Sequence, residues 1–375
     1  MSAPPDVEQI PLAKPEIGAR EEELLREVLR SGRLSLGPMG ERFERGLAAW
    51  LGVEDAVAVS SGTAGLHLGV RALGWGPGDE ILTSPFSFVA SANCLLYEGA
   101  RPAFCDVDPE TLDLDPAAVE AALGERSAGI LPVHIFGFPA AMAELEALAA
   151  RHGLGILEDA CEALGAVDAE GRTVGSRGNL ATFAFYANKQ LTTGEGGIVV
   201  PPSAEVAARL RSERNQGRAA DMGWLDHGGL GFNYRLSDLA AALGVAQLEK
   251  LDAMLARRDA LAALYERSLG EVERVEAPFA ARGAARRSWF IYPVRLPEDA
   301  DRDATIARLA ERGVASKAYL PCIHLFPQFR ELGWREGQFP VAEAASARSL
   351  ALPFYTTMSE SQVGRVCEAL AESLR

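Results

Sequence analysis

Between Glu54 and Val200, apolar residues come in short runs separated by stretches whose apolar positions recur three and four residues apart. Buried parallel strands leave runs of the first kind, and the helices that cross between them leave stretches of the second. The pattern predicts an α/β domain, a mostly parallel sheet covered by helices. Its strands are expected at 56–59, 80–83, 102–105, 128–133, 155–157, 180–185 and 197–200. Helices are expected at 64–73, 87–97 and 140–152, and an earlier one lays Phe43, Leu47, Trp50 and Leu51 on the core.

The texture then changes. From Ser237 to Leu269 the chain is rich in Ala and Leu, opens with a Ser-Asp cap and contains no proline, which predicts one long helix bridging two domains. Residues 287–296 and 314–320 and two closing amphipathic stretches read as a smaller α+β C-terminal domain. The expected division is an N-terminal arm (1–19), a large α/β domain (20–250) and the small domain (251–375).

Composition narrows the classes. With 48% of its 375 residues hydrophobic, the chain can bury one large core and a smaller second one. No run approaches the ~18 apolar residues of a membrane helix, and residues 1–15 are polar and proline-rich without an apolar signal core, so a soluble cytoplasmic protein is expected. The cysteines (Cys94, Cys105, Cys161, Cys322, Cys367) are odd in number and scattered, which fits free thiols in a reducing compartment. A formal charge of −15 repels nucleic acid and anionic membrane. A phosphate-bearing ligand therefore needs a locally positive site.

The chain has four lysines, Lys14, Lys189, Lys250 and Lys317, and three of them read as solvated. Lys189 differs: it follows an apolar strand and precedes the turn-forming run Thr192-Thr193-Gly194-Glu195-Gly196-Gly197. A lysine there projects into the crevice outside the strand ends, where open α/β sheets bind ligands and where desolvation frees an amine for imine chemistry. Taken alone, a surface lysine stretched along an apolar rim fits the same place.

Ser60-Ser61-Gly62-Thr63-Ala64 joins a strand to a helix, so backbone N–H groups and hydroxyls can converge on an anion, though a plain helix cap reads identically. Glu158-Asp159 closes another strand, where a carboxylate can pair with a protonated pyridine nitrogen or simply cap a helix. His324 is either a substrate contact or a loop histidine. No G-x-x-x-x-G-K or G-x-G-x-x-G follows a strand, and the histidines lack metal-ligand spacing, so neither a P-loop, a dinucleotide site nor a metal is expected.

Together these motifs resemble the DegT-like nucleotide-sugar aminotransferases, a family of fold-type I pyridoxal-phosphate (PLP) enzymes. The likeness runs through Ser35-Leu36-Gly37, the 60–64 motif, Pro85-Phe86-Ser87-Phe88, Glu158-Asp159-Ala160-Cys161-Glu162, Tyr186-Ala187-Asn188-Lys189-Gln190, Arg214-Asn215-Gln216-Gly217, Asn233-Tyr234-Arg235 and Leu350-Ala351-Leu352-Pro353. The resemblance implies that Lys189 carries PLP as an imine and relays protons, that Asp159 bonds the pyridine nitrogen, and that Phe88 stacks on the ring. Gly62, Thr63 and Ala64 would bind the phosphate, Glu162 would stand near the ring hydroxyl, and Asn233 would reach the phosphate of the neighbouring subunit's cofactor. The last role implies a homodimer with shared active sites. Leu36, Gly37, Tyr186, Arg235 and His324 match positions that line the sugar pocket.

The implied reaction takes an amino group from an amino acid, L-glutamate by family analogy, to a nucleotide-linked keto-sugar in two half-reactions, giving an amino sugar. Family members often have a serine five residues before the lysine; here that residue is Ala184. A sugar dehydratase of the same fold would replace the lysine with histidine. A non-catalytic PLP-binding regulator is the other alternative.

Overall fold

The computed structural model describes residues 9–219, 226–270, 272, 274–278 and 281–375. One sheet organises the larger part, built from β1 (Val57–Val59), β2 (Glu80–Thr83), β3 (Arg101–Phe104), β4 (Ser127–Leu131), β5 (Gly155–Asp159), β6 (Leu180–Ala184) and β7 (Gly197–Val200). Their order is β1-β7-β6-β5-β4-β2-β3. Pairing from β3 through β6 is parallel, and β7 runs against both of its neighbours. Strand ends of one polarity thus gather at one edge, and the loops beyond β4, β5 and β6 meet there.

Several element ends differ from the hydrophobic pattern by one to three residues, and one expected helix is divided. β5 continues past Leu157 through Glu158 and Asp159, which pair with Ala181 and Thr182 of β6. Two acids end an apolar run on paper, but Glu158 is fully buried and satisfied by the Asn179 amide, the Gly175 N–H and His134. The helix expected from Ser87 begins at Ala90, because the Ser84 hydroxyl accepts the Phe86 N–H and holds Pro85-Phe86-Ser87 as a turn. The expected single helix after Ser237 is two, Asp238–Leu248 and Leu251–Leu269.

At that break Lys250 is not a solvated lysine. Its Nζ lies 2.8 Å from Oε1 of Glu21, a carboxylate only 1% exposed, and donates to Glu16 O. Gln247 donates to the same two residues. The turn between the helices thereby fastens the N-terminal segment to the large part.

The helix Gly62–Leu73 lies directly on the sheet, and a stripe of glycines makes that possible. A Cβ at Gly65 would stand 2.6 Å from Thr182 Cγ2, and one at Gly69 2.7 Å from Leu157 Cδ1. Glycine at this spacing lets the helix N-terminus reach the strand ends of β5 and β6 instead of riding a side-chain layer above them.

The smaller part is an antiparallel sheet with Ser349–Leu352 between Tyr292–Arg295 and Lys317–Ala318. Tyr265, Tyr292, Trp289 and Phe354 stack within its core. The helix Leu251–Leu269 serves both parts: Leu251 and Met254 pack with the large core, Leu261, Tyr265 and Leu269 with the small one. Phe290, Leu320, Ile323 and Phe339 of the smaller part in turn join the sheet's own core, so the two parts share packing at the strand ends. No described helix is long and apolar enough to cross a membrane, and no described group of His, Cys, Asp or Glu forms a metal-binding cluster. All five cysteines are free.

Candidate active site

A cavity of about 490 Å³ opens where β5, β6 and the helix Gly62–Leu73 end. Lys189 enters it from the turn after β6, with its Nζ 3.5 Å from Glu162 Oε1 and 14% of its side chain exposed. Lys189 is the only cation among the described residues that line the cavity, which also receives Asp159, Glu162 and Glu195. With three carboxylates beside one lysine the lining is acidic overall, so the point that can hold an anion is the helix N-terminus at Gly62.

Asp159 closes β5 and is almost fully buried. Its Oδ2 accepts the Ser91 hydroxyl at 2.6 Å and its Oδ1 the Cys161 N–H at 3.1 Å. Two donors fix the carboxylate and leave lone pairs facing the cavity, the geometry needed to accept a proton-bearing ring nitrogen. Glu162, one turn further, accepts the Phe136 N–H at 2.9 Å. Burial pushes the Glu162 carboxyl above its usual range, against the pull of Lys189 and the Phe136 N–H. Burial likewise raises the Cys161 thiol, helped by Asp159, so that sulfur faces the cavity uncharged.

Ser61 caps the helix Gly62–Leu73 by accepting the Ala64 N–H at 3.1 Å. Ser61, Gly62 and Thr63 line the cavity, whereas the Ala64 N–H is already engaged in the cap. A helix N-terminus at the cavity wall suits a phosphate. Phe88 presents a ring that is 61% exposed, and Tyr186 a ring 52% exposed, both to the same space.

The remaining expected residues lie elsewhere. Bridges Ser35–Ser237 and Asn215–Asn233 bring Leu36 and Gly37 alongside the 233–237 segment, on a rim outside the cavity. There Leu36 and Asn233 are exposed, and Arg235 donates to Asn215 Oδ1 at 2.9 Å. Gly37 has a local structural reason: a Cβ would stand 2.1 Å from the Asp238 carboxylate, which accepts the Met39 and Gly40 N–H groups. His324 does not line the cavity. Its ring is fully buried against Phe339, with Nε2 3.2 Å from Glu343, so the expectation that it faces substrate is corrected.

Sequence reasoning missed Ser91, Tyr319 and Phe290. Ser91 carried a signal, since Ser87 and Ser91 stand one turn apart and their hydroxyls meet at 2.6 Å. Tyr319, raised to about 12 by burial and by Glu162, lines the cavity from the smaller part. Phe290 lies under Lys189, with Nζ 3.9 Å from its ring centroid. Both sit more than a hundred residues from the lysine they approach, where no local pattern reports them.

The sequence profile of the DegT/DnrJ/EryC1/StrS aminotransferase family matches residues 15–371. GDP-perosamine synthase of Caulobacter vibrioides is 36% identical over 98% of this chain and 99% of its own. A pleiotropic regulatory protein of Geobacillus stearothermophilus is 37% identical over 98% of this chain and 97% of its own. Among solved structures, S. venezuelae DesV in complex with a ketimine intermediate superposes with a TM-score of 0.92 at 36% identity, covering 98% of this chain and 99% of that one. The sheet and its lysine-bearing cavity are thus the fold-type I arrangement, and the chain belongs to the DegT/DnrJ/EryC1/StrS family as a PLP-dependent aminotransferase.

Proposed function

We propose that this protein moves the amino group of an amino acid, L-glutamate, to the ketone carbon of a sugar carried on a nucleotide. The observation that carries this reading is the convergence of Lys189, Asp159 and an open helix N-terminus on one cavity. Those residues fit PLP: an amine for its aldehyde, a carboxylate for its ring nitrogen, N–H groups for its phosphate. When bound, PLP supplies an electron sink for the substrate carbon.

The chain's own residues do the rest. Asp159, oriented by Ser91 and the Cys161 N–H, holds the proton on the ring nitrogen. Phe88 would cover one ring face and Glu162 would orient the ring hydroxyl. Lys189 would hold the cofactor through its amine and move a proton at the substrate carbon, as general base and then as general acid.

The name of GDP-perosamine synthase supports a nucleotide-linked sugar as acceptor. Asn233, exposed, and the half-buried Arg235 lie on a rim away from their own cavity, which supports a homodimer in which each subunit completes its partner's site. Five free cysteines and the absence of a membrane-crossing helix among the described residues fit work in the cytoplasm. The name of the Geobacillus relative gives a second reading, a regulator that binds PLP without turnover.

An absorption spectrum of the protein with PLP, taken before and after L-glutamate, separates the two. A visible band that bleaches with glutamate and is absent in Lys189→Ala is the expected result. A band that persists with glutamate favours the regulator or another donor, and a normal bleaching band in Lys189→Ala overturns the assignment.

A further inference from the structure

Lys189 does not stand free in its cavity. Its Nζ sits over the Phe290 ring, 3.9 Å from the centroid, and 3.5 Å from Glu162 Oε1. Phe290 is 1% exposed and belongs to the segment that enters the small sheet, so packing fixes its ring. We propose that Phe290 and Glu162 form a docking site for the Lys189 ammonium, a ring face and a carboxylate that hold the side chain whenever its nitrogen is not bonded to the cofactor. The proposal rests on reading Lys189 as the cofactor-bearing amine, and Phe290 acts in it as a positioning residue.

A lysine side chain has four rotatable bonds and loses its orientation once the covalent link is exchanged. A ring face attracts an ammonium through its quadrupole, more strongly where water is excluded, and a carboxylate adds a second attractor from another direction. Between them they keep Nζ beside the reacting carbon instead of letting it swing toward solvent.

Both attractors are braced by one segment. Arg287 donates to Phe136 O, and the Phe136 N–H donates to Glu162 Oε2. Gln190 Nε2 spans Glu162 O and Ser288. The Ser288 N–H donates to Gly137 O, where a Cβ at Gly137 would stand 1.7 Å from Ser288 O. Residues 287–290 therefore supply the ring and steady the carboxylate, so the seating of the smaller part sets the lysine's position.

The other groups facing Lys189 are few. Asp159 and Cys161 approach from the end of β5, Tyr186 and Tyr319 from the rim, and Arg258 of the helix Leu251–Leu269 donates to Lys189 O at 3.4 Å. Burial raises the thiol and the Tyr319 phenol, and it also works against the charge on Glu162, which Lys189 and the Phe136 N–H partly offset. The carboxylates and the Phe290 ring are left as the groups that favour the ammonium.

The test is amine labelling of the cofactor-free full chain with trinitrobenzenesulfonate, read residue by residue by mass spectrometry from neutral to alkaline pH. Phe290→Leu keeps an apolar side chain and removes the quadrupole, and it should make Lys189 labelling about 3- to 10-fold faster at neutral pH. Superimposable Lys189 profiles overturn the proposal. Lys250, held on buried Glu21, reports loosening of the fold. If Lys250 also labels faster, Glu162→Gln decides: faster Lys189 labelling supports the docking site, an unchanged rate overturns it. A Lys189→Ala protein that still develops the normal visible band with PLP would instead defeat the reading of Lys189 itself.

Discussion

The Ser91 hydroxyl donates to Asp159 Oδ2 at 2.6 Å, and the Ser87 hydroxyl stands 2.6 Å behind it. The Cys161 N–H holds the other oxygen of this carboxylate, Oδ1, so the Ser91 hydroxyl completes its orientation. Ser91→Ala removes a hydrogen bond to a charged group, a contribution of about 1.5–3 kcal/mol. Part of that appears as lost alignment toward the ring nitrogen, so PLP affinity should fall about tenfold. A cofactor titration followed by visible absorbance measures it, and an unchanged affinity would remove Ser91 from the site.

Gly62 lies where the helix Gly62–Leu73 touches the sheet. A Cβ there would stand 2.7 Å from Ala184 Cβ and 3.0 Å from Cys161 Sγ. The Ala184 Cβ is fixed to the β6 backbone and cannot yield, so Gly62→Ala must lift the helix N-terminus. Overpacking of this kind costs about 1–3 kcal/mol. The variant should melt at lower temperature and also lose affinity for PLP, because the N–H groups proposed to meet the phosphate move with the helix. Loss of stability with cofactor affinity retained would place the phosphate elsewhere.

How far the sequence alone reports this site follows from where each residue sits. Lys189 is legible as a cavity residue because it lies between an apolar strand and a glycine-rich turn, Asp159 because it stands at a strand end, and Thr63 because Ser-Gly-Thr opens a helix. Those signals are local. Tyr319 reaches the cavity and Phe290 lies under Lys189, both from the smaller part, and only the folded chain brings them there. β2 and β7 have the expected limits because turn residues bound their apolar runs, whereas β5 runs on through two acids that buried partners satisfy. His324 was misplaced for the converse reason: a histidine in a loop motif reads as available, but Phe339 and Glu343 enclose it.

The Lys250–Glu21 pair makes a prediction about acid. Burial alone would raise the Glu21 carboxyl, but bonds from Lys250, Gln247 and the Gly18 N–H bring it below its ordinary value. A carboxyl lowered on folding contributes stability above its unfolded pKa and loses it as pH falls through the folded one. Lys250→Met leaves a buried carboxylate without its cation, at a cost of about 3 kcal/mol near neutral pH. Acidification protonates the stranded carboxyl first, so the gap in melting temperature between the variant and the parent should narrow as pH drops toward 4.5, the ordinary Glu value. A gap constant over that range would mean Lys250 acts through packing alone.

The shared-site reading of the dimer can be tested by complementation. Asn233 is exposed and outside its own cavity, and its segment is anchored to the same chain by the Tyr234 hydroxyl, 3.0 Å from His67 Nδ1. If Asn233 serves the partner, Lys189→Ala and Asn233→Ala each disable a different half of one composite site. In a mixed dimer, the site holding the intact Lys189 receives its Asn233 from the Lys189→Ala chain and is whole. Random reassociation makes half the dimers mixed, each with one whole site, so roughly a quarter of parental activity should return on mixing two weak variants. Activity equal to the mean of the two variants would instead put Asn233 to work in its own subunit, and a fully active monomer by light scattering would exclude shared sites altogether.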